Sequence, residues 1–130
     1  MTKQLLLGNE AIAWGAIAAG VKVATAYPGT PSTEIFSTLA AQAKRYGFHA
    51  EWCVNEKVAL EVAYGSAISG ARAMVTMKQV GLNVAADPLL SGTYLGVKGG
   101  LVLVVADDPG PHSSQTEQDT RHFASFAKVP

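Results

Sequence analysis

The chain has 130 residues, enough for one domain with a real core, and its 48% hydrophobic and 15% charged composition excludes a disordered segment. Ten basic residues balance ten acidic ones, giving zero formal net charge, and no basic stripe stands out, which argues against nucleic acid as a partner. No stretch approaches the roughly 18 apolar residues of a membrane span, and Met1 to Leu5 hold too short an apolar run for a signal peptide, so a cytoplasmic protein is expected.

Along the chain, Asn9 is placed to cap an Ala-rich helix that runs to about Ala19 and stops at Gly20. Val21 to Ala26 then reads as a strand. Thr30-Pro31 reads as a helix cap followed by proline at the first helical position, where its missing N–H costs nothing. The following helix carries Ile35, Phe36, Leu39, Ala40 and Ala43 on one apolar stripe, with Gln42, Lys44 and Arg45 on the wet side and Gly47 as its stop. Residues 49–54 form a second strand that buries Cys53. Asn55 caps a helix from Glu56 to about Ser69. Ala73–Met77 and Leu101–Ala106 are nearly unbroken apolar runs, the pattern of parallel strands covered on both faces. Between them, Gly81 to Gly99 holds one or two short helices, broken near Asp87-Pro88 and Gly92. A polar loop, Asp107 to Gln115, precedes a helix over roughly Asp119 to Ala127.

Strands thus alternate with helices, and the expected class is α/β: an open, mostly parallel sheet with helices on both faces. Residues 1–130 read as one domain. The chain stops at Val129-Pro130 where another strand is expected, which reads as truncation of a larger unit and leaves an open edge beside the fourth or first strand. So few charges also suit a surface that packs against something else.

In open parallel sheets ligands bind at the carboxyl ends of the strands. Two such junctions carry special residues. After the first strand, Pro28, Gly29 and Thr30 allow close backbone approach and offer N–H groups at a helix start, although a plain turn and cap would look the same. After the second stands Glu56. An acid there is favoured by the helix dipole alone. Its apolar neighbours, Trp52, Cys53, Val54, Val58, Ala59 and Leu60, also place it partly out of water, where a carboxyl is suited to proton sharing. Asn83 follows the third strand as a cap or a ligand contact. His112, Ser113 and Ser114 follow the fourth, as solvated polar residues or as substrate contacts.

The usual nucleotide fingerprints, GxGxxG and the P-loop lysine motif, are missing. His49 and His122 read as surface or edge residues. No pair of histidines and acids has metal-ligand spacing, so no metal bound by this chain alone is expected. The single cysteine, Cys53, excludes an internal disulfide or a cluster held by this chain alone, and reads as a small buried apolar residue.

Taken in order, Gly8-Asn9-Glu10-Ala11, Tyr27-Pro28-Gly29-Thr30-Pro31-Ser32, Val54-Asn55-Glu56-Lys57-Val58-Ala59, Val75-Thr76-Met77-Lys78, Gly81-Leu82-Asn83 and Val104 through Gln115 resemble a known family. It is that of the α subunits of indolepyruvate:ferredoxin oxidoreductases, thiamine diphosphate-dependent enzymes of the 2-oxoacid:ferredoxin superfamily. The resemblance covers essentially the whole chain and is strongest to their N-terminal region.

The resemblance implies the pyrimidine-binding domain of a thiamine diphosphate enzyme, with Glu56 hydrogen-bonded to ring nitrogen N1′ and so activating the cofactor. Pro28, Gly29 and Asn83 become cofactor contacts, and Thr30, His112 and Ser113 substrate contacts. It implies a diphosphate-binding domain on the same or a second subunit, a β subunit, ferredoxin and coenzyme A as partners, with Mg²⁺ and iron–sulfur clusters bound outside this chain. The fragment alone is then expected to be inactive. Pyruvate-using relatives place an arginine after the fourth strand, where this chain has Asp107-Asp108, so their pyruvate clamp does not carry over and a bulkier aryl pyruvate fits better. Two alternatives stay open: a non-oxidative thiamine diphosphate-dependent 2-oxoacid decarboxylase subunit, and a non-catalytic α/β interaction module.

Overall fold

A computed structural model describes residues 4–130; Met1, Thr2 and Lys3, on which the reading against a signal peptide partly rests, lie outside them. Four strands, β1 (Val23–Ala26), β2 (His49–Trp52), β3 (Arg72–Lys78) and β4 (Gly100–Ala106), form a wholly parallel sheet in the order β2-β1-β3-β4. Ala26 lies level with Trp52 on one side and Thr76 on the other, and Thr76 is level with Val104. Helices α1 (Gly8–Ala18), α2 (Thr33–Tyr46), α3 (Glu56–Ile68), α4 (Gln79–Leu95) and α5 (Phe123–Ala127) complete the chain order.

The sheet separates two cores. Ala13, Ile35, Phe36 and Leu39 from α1 and α2 pack with Ala24, Ala26 and Met74. Ala59, Leu60, Ala63, Leu82 and Ala85 from α3 and α4 pack with Val75 and Met77. Odd and even residues of β3 therefore enter opposite cores, as the two-residue period of a strand requires. This is the expected α/β architecture. The chain leaves β1 for β2 through α2, then returns past β1 to β3 through α3, so the direction of winding reverses between β1 and β3. All four strands end on one rim, and the reversal marks the point on it where open α/β sheets hold ligands. Among the described residues no helix is long and apolar enough to cross a membrane.

Several local expectations are corrected. Asn9 does not cap α1, because the helix already begins at Gly8; at its start the Leu7 N–H donates to Glu10 Oε2 at 2.9 Å. Asn9 instead donates to the Pro31 carbonyl at 2.8 Å and to Glu34 Oε2 at 3.0 Å, tying α1 to the β1–α2 turn. The first strand starts at Val23, because Val21 N–H is still spent on the Ala16 carbonyl behind the Gly20 stop. Nor do Thr30 and Pro31 begin α2. The bond between them is cis, and the Gly29–Ser32 turn closes on itself, Ser32 donating its N–H at 2.9 Å and its hydroxyl at 2.8 Å to the Gly29 carbonyl. Within α2, Ile35, Phe36 and Leu39 are buried as expected but Ala40 faces out.

β2 is an exposed edge strand that ends before Cys53, while β1 is central, so the open edges belong to β2 and β4. Cys53 is buried in the α3–α4 core all the same, and that burial, helped by the charge of Glu51, pushes its thiol pKa up. The segment after β3 is a single helix that starts earlier, at Gln79, and is broken neither at Asp87-Pro88 nor at Gly92. Pro88 sits inside α4, where it costs a hydrogen bond, but the buried Leu82, Ala85 and Gly92 hold the helix to the body. The helix foreseen from Asp119 shrinks to α5, since Asp119 turns its carboxylate onto Arg121 at 2.6 Å.

Candidate functional site

Glu56 opens α3 directly after β2. Its helix is fixed at both sides of the first turn: Asn55 Oδ1 accepts the Val58 N–H at 2.9 Å, as a cap should, and the Thr25 hydroxyl donates to the Ala59 carbonyl at 2.7 Å. So anchored, the Glu56 side chain is turned into the protein, with only 5% of the residue exposed. It lies across Gly81 in the first turn of α4. A Cβ at that glycine would stand 2.6 Å from Glu56 Oε1 and 2.7 Å from its Cγ, so the absence of a side chain there is what makes room for the acid. None of the hydrogen bonds among the described residues reaches the Glu56 carboxyl. The Glu56 carboxyl therefore holds unspent hydrogen-bonding capacity.

The other predicted residues fall on the same rim with different degrees of engagement. Pro28 and Thr30 are exposed and Gly29 half-buried. Gly29 accepts the stem of Lys78: a Cβ there would meet Lys78 Cδ at 2.8 Å. Asn83 is inside α4, beyond any capping position, and exchanges hydrogen bonds with Gln118 at 2.8 and 3.0 Å. His112 and Ser113 are exposed. Their backbone N–H groups, with that of Ser114, converge on Asp108 Oδ2 at 3.1, 3.0 and 2.8 Å. The donors of Ser113 and Ser114 hold the Asp108 carboxyl down at about 2, against an ordinary 3.8.

Sequence reasoning missed Lys78 and Gln79, at the junction of β3 and α4. Gln79 is fully buried. Its amide donates to Ser114 Oγ and to the Thr116 carbonyl, both at 2.7 Å, while Gln118 donates back to the Gln79 carbonyl at 3.1 Å. Lys78 Nζ donates to Gln115 Oε1 at 2.8 Å. The loop after β4 is thereby strapped over the end of β3. The signal that could have found both residues is the one that found Glu56: polar residues where a buried strand hands over to a helix. Among the described residues two buried polar side-chain atoms remain without a partner, Thr76 Oγ1 and Gln79 Oε1, both at this end of β3.

A separate concavity lies away from the rim. A cavity of about 820 Å³ lies among α3, α4, β4 and α5, lined by Leu60, Tyr64, Leu89, Leu103 and Phe123, and Glu56 is not on its wall. Its lining offers few convergent polar groups, whereas the rim concentrates them. Among the described residues no cluster of histidine, cysteine and acidic side chains could hold a metal ion.

Residues 14–109 match the family described as pyruvate flavodoxin/ferredoxin oxidoreductase, thiamine diphosphate-binding. The chain is 58% identical to the indolepyruvate oxidoreductase subunit IorA of Archaeoglobus fulgidus, over 98% of this chain and 21% of that protein. It is 60% identical to the same subunit of Thermococcus kodakarensis, over 97% of this chain and 20% of that one. A ketoisovalerate oxidoreductase subunit of Methanothermobacter thermautotrophicus is 29% identical over 75% of the chain. The chain thus spans about a fifth of the length of the most similar of these relatives. In fold it is similar to a 2-oxoglutarate:ferredoxin oxidoreductase from Magnetococcus marinus, solved with 2-oxoglutarate, coenzyme A and succinyl-CoA bound. The TM-score is 0.78 at 23% identity, over 92% of this chain and 21% of that one.

Proposed function

This chain belongs to the pyruvate flavodoxin/ferredoxin oxidoreductase family, as its thiamine diphosphate-binding domain, and from that premise we propose that it covers the cofactor aminopyrimidine in an indolepyruvate (aryl pyruvate) ferredoxin oxidoreductase. In the proposed reaction a 2-oxoacid loses CO₂, its acyl carbon joins the sulfur of coenzyme A, and an electron pair and a proton leave, the electrons passing to ferredoxin. The remaining parts, a diphosphate-binding domain with its Mg²⁺, a β subunit and iron–sulfur clusters, lie outside this chain. The high identity to indolepyruvate oxidoreductase subunits supports the aryl substrate.

The observation that carries the proposal is Glu56: a carboxyl 5% exposed, seated over Gly81 at the carboxyl edge of a parallel sheet, with no donor from the described residues. A carboxyl without a partner fits a heterocyclic ring nitrogen with which it can share one proton. Thiamine diphosphate, when bound, supplies a carbon nucleophile and a sink for the electrons left by CO₂. The chain's own task is narrower. Glu56 exchanges one proton at its carboxyl with a bound ring, and at 5% exposed it leaves water little room to compete. Asn55 and Thr25 keep the helix, and hence the acid, from moving. Pro28 and Gly29 belong to the turn after β1 on the same rim, and Thr30, exposed there, is assigned to the substrate.

Replacing Glu56 with Gln in the assembled enzyme keeps size and shape but removes the carboxyl that can give up and take back a proton. Decarboxylation falls about 10²- to 10⁴-fold while circular dichroism stays native. Turnover near the wild-type rate sinks the assignment.

A further inference from the structure

We infer that Lys78 anchors the carboxylate of the 2-oxoacid substrate; the inference rests on the oxidoreductase reading above and names the charge that would hold the substrate within it. Lys78 ends β3 at the reversal between β1 and β3. Its stem runs against Gly29, where a Cβ would stand 2.8 Å from Cδ and 3.0 Å from Cγ, so the course of the side chain is set by packing. Its ammonium has three protons to donate and one described acceptor, the neutral Gln115 Oε1 at 2.8 Å. Among the described residues no carboxylate comes within ion-pair reach of it.

That lack of a counter-charge is not for want of acids nearby. Asp107 accepts from the Thr120 N–H at 2.9 Å and its hydroxyl at 2.7 Å. Asp108 collects three backbone N–H groups, and Glu117 accepts that of Gly110 at 2.8 Å. Each acid of the loop is spent inside the loop. The neighbouring rim cation is treated differently: Lys57 meets Asp87 at 2.7 Å and Glu61 at 4.0 Å. α4 begins at the residue after Lys78 with no side-chain cap, so its free N–H groups add positive potential in the same place. Thr76, on the same face of β3 two residues earlier, carries a buried hydroxyl without a partner among the described residues. A small carboxylate suits this setting, being able to share Nζ with the Gln115 amide.

The test uses the assembled enzyme with Lys78→Met, which keeps the apolar stem, and Lys78→Arg, which restores the charge. Lys78→Met is expected to raise KM for the 2-oxoacid about 10- to 100-fold, the loss of one charged contact made in ground and transition states alike, with kcat little changed. KM for coenzyme A stays as in wild type, and Lys78→Arg recovers most of the loss. Inhibition by an aryl carboxylate weakens in parallel, while inhibition by its carboxamide does not. An unchanged KM for the 2-oxoacid, in an enzyme that Glu56→Gln still silences, overturns the role of Lys78 and leaves the oxidoreductase reading standing. A rise confined to KM for coenzyme A, or a loss of kcat and melting temperature that arginine fails to repair, overturns it as well. Normal turnover by Glu56→Gln brings down the parent reading instead.

Discussion

In the loop after β4, Asp107, Asp108 and Glu117 accept hydrogen bonds from the loop's own backbone and hydroxyls. At the start of α3, Glu56 is far more deeply buried, at 5% exposed, and no described residue donates to it. Both regions cap strands of one sheet and face one rim. An exposed carboxylate could have been left to water at little cost, yet those are the ones fully engaged. Glu56 sits far deeper, yet it is the one that no described residue engages. The contrast separates two uses of the same side chain: the loop acids fix a shape, while Glu56 is held ready for a partner that arrives from outside.

The contrast breaks most sharply at Gly81. Gly→Ala inside a helix normally stabilises by about 0.5–1 kcal/mol. Here the new methyl would fall 2.6 Å from Glu56 Oε1 and 2.7 Å from Cγ, so the acid must leave its place. Gly81→Ala in the assembled enzyme is expected to lower turnover about 100-fold, the usual effect of a misplacement near 1 Å, with a melting temperature close to wild type. Loss of stability without loss of turnover would mean that Glu56 is a packing residue.

On the loop side the prediction concerns order, not chemistry. Because its folded pKa is lowered to about 2 from 3.8, Asp108 favours the ordered loop wherever it is ionised. That contribution is complete above about pH 4 and disappears as pH falls from about 4 to 2. Amide exchange at residues 112–114 should therefore rise through that window in wild type. In Asp108→Asn, which keeps an acceptor oxygen but loses its charge, exchange at neutral pH should already be roughly three- to tenfold faster. Unaltered protection in the variant would show that the Gln79 and Gln118 bonds alone order the loop.

The difference between the two regions also marks what the sequence could reveal. Glu56 was legible because its cues are local: Asn55 as a cap, apolar neighbours on both sides, and a strand before it. The α/β class was legible for the same reason, from the apolar run of β3 and the glycine stops at Gly20 and Gly47, both at positive φ. The strap over β3 was not, because Gln79 meets Ser114 and Thr116 across 35 and 37 residues, and no local pattern encodes that pairing. The persistence of α4 through Pro88 failed likewise: a penalty of roughly 3 kcal/mol is outweighed by packing on α3, which includes the Tyr64 hydroxyl donating to the Gly92 and Gly96 carbonyls. Thr30-Pro31 misled because a cap and a self-closed turn use the same residues.

The smallest expected effect tests whether the anchoring of Glu56 is itself separable from its chemistry. Asn55→Ala removes the side-chain acceptor of the Val58 N–H and should cost about 1 kcal/mol of stability, as cap losses do. The second tether, from Thr25 to the Ala59 carbonyl, is untouched by this change and holds the first turn of α3 on β1. If that tether suffices, turnover in the assembled enzyme changes by less than about threefold, well under the misplacement penalty expected at Gly81. If turnover instead falls as far as in Gly81→Ala, the cap and not the glycine sets the position of the carboxyl. In that case the start of α3 would depend on a single hydrogen bond, and a Thr25→Val exchange should leave the rate intact.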